Sequence, residues 1–122
     1  METKEKQMPA KSVDIKIGDN TYTINFPTNG QLIDIERRKI NLTDGTHKEM
    51  LTSVQQSTQQ AYLLVEAITT FSVLIPDLTK DLNVKSLLDI TPMQSKGMVT
   101  EYIKKYYPWF NQWMAIINED VE

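Results

Sequence analysis

Cysteine is absent from the 122 residues. With it go disulfides, thiolate catalysis, cysteine-ligated zinc and iron–sulfur clusters. Histidine is nearly absent too. The one copy, His47, follows a turn in a polar stretch with no second ligand type at metal spacing, and is read as a solvated residue at a helix start. The chain has no glycine-rich phosphate loop of the dinucleotide or Walker kind, no nucleophile elbow and no HExxH pair. No catalytic residue, metal ligand or cofactor site is therefore expected, and the protein is read as a non-enzyme. Long apolar runs are also lacking: the best, Phe71 to Pro76, falls far short of the roughly 18 residues of a membrane span. An excess of positive charge is missing as well, since 13 basic residues stand against 16 acidic ones for a net charge of −3. Nothing in that balance attracts a phosphate backbone, so neither nucleic acid nor membrane is expected as a partner.

What is present suits one globular domain, because 122 residues with 40% hydrophobic and 24% charged side chains can close a single core. Residues 1–11 are polar and charged, with no apolar run, and read as a solvated tail and as neither signal nor transit peptide. Over 12–26, Val13, Ile15 and Ile17 alternate with Asp14 and Lys16, and Tyr22, Ile24 and Phe26 alternate with Thr23 and Asn25. A period of two on both sides of Gly18-Asp19-Asn20 is the pattern of a β-hairpin with one apolar face. A lone hairpin is marginal, so that face must lie on helices, and its unpaired edge offers self-association by strand addition.

The remainder, 28–118, reads as a helical bundle. Thr28 and Gln31 have capping-box spacing, which predicts a helix over 29–41 burying parts of Leu32, Ile33, Ile35 or Ile40, with Asp34 and Arg38 one turn apart on the wet side. The glycosylation-like triplet Asn41-Leu42-Thr43 is read as the end of that helix, and Thr43-Asp44-Gly45 as a turn. From Thr46 to Ile75 there is neither proline nor glycine, which predicts one helix of roughly 45 Å. Its seam is expected along Val54, Ala61, Ile68 and Ile75 together with Met50, Ser57, Leu64 and Phe71, each series seven apart. Pro76 ends it, and one or two brief helices follow, interrupted near Asn83. Thr91-Pro92-Met93-Gln94 repeats the capping logic and predicts a helix to about Tyr106; Pro108 predicts a bend, with a last helix from Trp109 to about Asn118. The acidic pairs Asp77 and Asp81, and Asp34 and Glu36, are read as solvated carboxylates.

The densest signal is aromatic: Tyr106, Tyr107, Trp109, Phe110 and Trp113 fall within eight residues. Two readings stand. Either Tyr102, Tyr106, Phe110 and Trp113 close the core, or Tyr106, Tyr107, Trp109, Phe110 and Trp113 form a surface that buries against a protein partner. Lys104 and Lys105 alone make too thin a basic platform for base stacking.

The stretch from Ile17 to Arg37, IGDNTYTINFPTNGQLIDIER, runs from a short hairpin through Phe26-Pro27 into a helix, and a helical region of this size follows. In this plan the chain resembles the small tail assembly chaperones of tailed bacteriophages. The residues themselves read as an α+β protein, an N-terminal β-hairpin packed on a mostly α-helical bundle of four to five helices, and the resemblance implies the same plan. It also implies a non-enzymatic role in the cytoplasm of the bacterial host: binding the helical tape-measure protein during virion morphogenesis and leaving before the particle is finished. The same plan suits a structural subunit retained in the virion as a capsid, connector or tail component, and the two readings remain open at this point.

Overall fold

The computed structural model describes residues 8–119. Strands β1 (Ser12–Ile17) and β2 (Asn20–Asn25) pair antiparallel with Ile17 opposite Asn20 and Ser12 opposite Asn25. The turn between them is only Gly18-Asp19, and Gly18 at φ +64° supplies the positive first central angle that a type II′ hairpin turn requires. Ile15, Ile17 and Ile24 are buried while Asp14, Lys16, Thr23 and Asn25 are exposed, so the alternation in the sequence is the alternation of the two faces.

Helix α1 (Asn29–Thr43) opens on the expected capping box, in which the Thr28 hydroxyl accepts from Gln31 N–H and the Gln31 side chain accepts from Thr28 N–H. It runs two residues past the expected end and closes on Asp44 and Gly45, both at positive φ. Of its apolar residues Ile35 is buried, whereas Ile33 and Ile40 face outward.

The single long helix expected from Thr46 to Ile75 is two helices, α2 (His47–Leu51) and α3 (Gln56–Leu74). The break needs no proline or glycine. Thr52 Oγ1 donates to Glu49 O, Ser53 Oγ accepts from Gln55 N–H, and such local bonds compete with the helical ladder where threonine, serine and valine are weak helix formers. The heptad seam is corrected accordingly. Val54 lies in the break at 96% exposure, while Phe71 and Ile75 of the expected seam are buried, in line with Ala67 along α3 and its C-cap. Both α1 and α2 pack on α3, which makes it the central element.

After Pro76 come α4 (Leu78–Asp81), a positive-φ residue at Asn83 and a 3₁₀ turn, Leu87–Asp89, which bury Leu78 and Leu87. Helix α5 (Pro92–Glu101) carries the second capping box, on Thr91 and Gln94, with Pro92 in its first turn. The bend expected at Pro108 does not interrupt the chain. Instead a π-helical turn, Tyr102–Tyr106, joins α5 without a break to α6 (Tyr107–Glu119). Proline has no N–H to give to the carbonyl four residues back, and the preceding N–H, on Tyr107, reaches five residues back to Tyr102 O, so the irregularity is absorbed by widening one turn. Counting the joined run as one, the described residues form five helices and the hairpin: an α+β fold with a helical bundle.

The core gathers the hairpin isoleucines, the α3 stripe, Leu78, Leu87, Met98, Tyr102, Tyr106 and Trp109. Hairpin and bundle are further tied on the rim of that core. Lys16 N–H donates to the Glu101 carboxylate at 2.6 Å, and Tyr22 OH donates to Asp81 at 2.7 Å. No helix among the described residues is long and apolar enough to cross a membrane.

Candidate functional site

The five aromatic residues singled out by sequence do not share one surface. Tyr106 and Trp109 are 3% and 6% exposed, Phe110 and Trp113 are half-buried, and Tyr107 is 50% exposed. Phe26, arriving from the end of the hairpin, explains the arrangement: its ring stacks on Phe110 at 5.3 Å and meets Trp109 and Trp113 edge-on at 5.7 and 6.3 Å. Both indole N–H groups, on Trp109 and Trp113, donate to the carbonyl of Ala10, at 2.7 and 2.9 Å. Of the tail expected over 1–11, residues 1–7 lie outside the described residues, while Ala10 is held by these two bonds.

Tyr107 belongs to a different feature. Between α2, α3 and the π turn lies a groove of about 410 Å³, walled by Leu51, Leu63, Ile103, Tyr107 and the polar Gln59, whose amide donates to Ser53 O, and floored by Tyr62, Glu66 and Tyr102. Leu51, Ile103 and Tyr107 are 56%, 41% and 50% exposed, so three large apolar side chains that would gain from burial stand around one depression.

The floor is a polar knot that composition and spacing did not reveal. Glu66, 8% exposed, accepts from Lys39 Nζ at 2.9 Å, from Tyr102 OH at 2.8 Å and from Tyr62 OH. Burial by itself raises its pKa, but the hydrogen bond from Tyr62, the Lys39 ammonium and the hydrogen bond from Tyr102 outweigh it and hold the carboxyl below its ordinary value. The phenols move the other way: burial first, and then the neighbouring carboxylate, push Tyr62 and Tyr102 well above the usual tyrosine range. An ionised carboxylate with three donors fixes α1, α3 and the π turn relative to one another, and so fixes the groove. A signal did exist in the sequence. Glu66 interrupts an otherwise apolar helical stretch, and Tyr62 precedes it by one turn, but Lys39 and Tyr102 are brought in only by the fold.

The wall that carries Leu51 has its own anchor. The reading of His47 as solvated is corrected: it is 7% exposed, and its Nε2 lies 2.8 Å from Glu36 Oε2. The cause is the tight Asp44-Gly45 turn, which folds α2 back onto α1 and buries the first residue of α2. Among the described residues, no three histidine or acidic side chains come together as metal ligands would. Asp34, on the wet side as expected, pairs with Arg38 at 3.5 Å, and Glu36 stays 49% exposed while reaching His47, whereas Asp81 accepts from Tyr22.

Comparison with protein-family models, with curated proteins and with solved structures finds no match to this chain in any of the three.

Proposed function

We propose that the protein is a non-enzymatic binding protein that takes an apolar helical segment of another protein into the groove between α2, α3 and the π turn. The observation that carries this reading is the groove itself: Leu51, Leu63, Ile103 and Tyr107 form largely apolar walls, in which Gln59 has its amide on Ser53 O, around a floor whose polar groups are already paired with one another. A satisfied floor asks for no polar ligand, and the exposed walls gain by burial against apolar side chains at helical spacing. Leu51 ends the short helix α2, next to the break at 52–55, so one wall can adjust to the client.

The finer reading, which rests on the hairpin-to-helix plan, is a tail assembly chaperone of a tailed phage. Its client is then the long helical tape-measure protein, and its place of action the cytoplasm of the bacterial host. Quantitative mass spectrometry of purified mature particles of the encoding phage tests it. Absence from the particle with abundance in the infected-cell lysate supports the chaperone; a fixed copy number in the particle makes the chain a structural subunit instead. The groove is tested apart from that. Ile103→Ser should lower affinity for the client at least tenfold while the far-ultraviolet circular dichroism stays that of the wild type, because the side chain is 41% exposed on the groove wall. Unchanged affinity would move the binding surface elsewhere.

A further inference from the structure

The two edges of the hairpin are treated differently by the rest of the chain. In an antiparallel pair, residues alternate between those whose N–H and C=O bond the partner strand and those whose groups point outward. Ile17 opposite Asn20 closes a two-residue turn and is a bonded pair, which makes Lys16 opposite Thr21 an outward pair. The Lys16 N–H confirms this by donating to the Glu101 carboxylate rather than to β2. On β1 the outward edge is therefore covered, by Glu101 and by the packing of α5 and the π turn on that strand.

On β2 the same alternation points the N–H and C=O of Thr21, Thr23 and Asn25 away from β1. Among the described residues, no group of the chain bonds any of them. The space beside that edge is an open groove of about 370 Å³ between Thr21 to Thr23 on one side and, on the other, Pro76 and Asp77 of the turn after α3 with Lys80 and Asp81 of α4. Free sheet edges in natural proteins are commonly blunted by a lysine, a proline, an inward charge or a bulge. From Asn20 to Asn25 there is no charge and no proline, and the register runs without a bulge.

We propose that this edge pairs with the same edge of a second copy of the chain, giving a four-stranded antiparallel sheet across a twofold axis at Thr23. The sequence of β2 is what selects a second copy. With Thr23 opposite Thr23, Thr21 meets Asn25, so the exposed face carries only small uncharged side chains, and hydroxyl and amide groups can bond across the strands. On the inner face Tyr22 falls opposite Ile24 of the second copy, and because Ile24 is already buried in its own core the outer-face pairs and the strand hydrogen bonds carry the contact. Every outward N–H finds an outward C=O. The charged residues of the hairpin, Asp14 and Lys16, lie on β1, one strand away from the contact, and the charges nearest the edge are Asp77, Lys80 and Asp81 across the groove, of both signs. Two strands of six residues make a small interface, which places the pair among weak, concentration-dependent contacts. The pairing does not depend on the client groove, which lies against α2, α3 and the π turn.

Sedimentation velocity on the full chain, from micromolar to near-millimolar concentration, tests the proposal, with Thr23→Lys as the variant that sets two like charges against each other across the axis. The expected result is a mass that rises toward twice that of the chain in the wild type and stays at one chain in Thr23→Lys, with both proteins giving the same circular dichroism. A wild type that remains at one chain throughout overturns the proposal, as does a dimer that survives the substitution. Should Thr23→Lys fail to fold, amide exchange on the wild type decides: slowing at Thr21, Thr23 and Asn25 with rising concentration supports the pairing, and concentration-independent exchange at those amides refutes it.

Discussion

Replacing Glu66 by leucine removes the one acceptor that Lys39, Tyr62 and Tyr102 share. The side chains of Lys39 and Glu66 are 14% and 10% exposed, and the ammonium left behind has Glu36 at 4.0 Å as its remaining opposite charge. Breaking one side of a buried ion pair costs about 3–5 kcal/mol, and a buried hydroxyl left without a partner about 1–3 kcal/mol. Against this, the flexible lysine stem can carry its charge toward water, and leucine adds apolar contact. A net loss of about 3–4 kcal/mol is expected for Glu66→Leu. Glu66→Gln keeps the shape and one carbonyl acceptor and should cost about 2 kcal/mol. Converting Lys39 to methionine together with Glu66→Leu removes both charges, and should recover part of the loss, since apolar replacement of a whole buried pair is often neutral.

The pH dependence gives a second, independent readout of the same residue. Because the folded-state pKa of Glu66 is depressed, the unfolded chain takes up the proton first as the pH falls. The stabilisation is complete above the ordinary glutamate value of about 4.3 and is lost as the pH falls through the lower, folded-state value. Urea unfolding followed by far-ultraviolet circular dichroism, between about pH 3 and pH 8, measures both effects. With a slope of about 1–3 kcal/mol per molar urea, Glu66→Leu should lower the midpoint by at least about 1 M at neutral pH. The acid limb of the Glu66→Gln curve should be shallower than that of the wild type. Midpoint shifts under about 0.3 M in both variants, or an unchanged acid limb, would show a solvated carboxylate and refute the reasoning.

Three further outcomes follow from the same contacts. The raised pKa values of Tyr62, Tyr102 and Tyr106, caused first by burial and then by the Glu66 charge, mean that the unfolded chain loses those protons first. Stability should hold up to about pH 10 and fall above it, with tyrosinate absorbance appearing together with loss of helix, not before it. Phe71→Ala, at a site with no exposure and edge-on contacts to Tyr102 and Tyr106, should cost about 3–5 kcal/mol, and Val54→Ser, in the break before α3, less than about 0.5 kcal/mol; similar values in chemical denaturation would restore the single long helix. Thr91→Ala should cost about 1 kcal/mol by removing the hydroxyl that caps α5, and a thermal melt unchanged within error would count against the cap.

The parts of this fold that could be read in the sequence are those written in local chemistry. The hairpin follows from alternation, and both capping boxes follow from a threonine three residues before a glutamine. The break at 52–55 was hidden because it rests on hydroxyl bonds of ordinary residues, with no glycine or proline to mark it. Its concealment extended a seam that is real at Ile68, Phe71 and Ile75 back to Val54, where there is none. His47 and Glu66 were hidden for another reason: each is buried by an element distant in sequence, and burial is what turns a polar residue from a solvated one into a paired one. The aromatic run was visible, but which of its faces points inward depends on Phe26, more than eighty residues earlier.

Pro108 ties these strands of the argument to the groove. A proline inside a helix removes one hydrogen bond, and the usual outcomes are a kink or a break. Here Tyr107 N–H bonds Tyr102 O, so the chain accommodates the proline by one widened turn, and that turn supplies Tyr102 and Ile103 to the groove while Tyr107 begins the helix after it. The hydroxyl of Tyr102 is fixed on Glu66, and its ring stacks on Tyr106 at 5.5 Å, which locks the widened turn against α3. Ile103 and Tyr107, four apart across the same turn, are left on the outside. A regular α-helix would not need to hold its irregular turn by a buried carboxylate. The polar knot under the groove and the proline beside it are therefore two halves of one arrangement: the first holds the shape that the second demands, and together they leave an apolar depression whose floor is already satisfied.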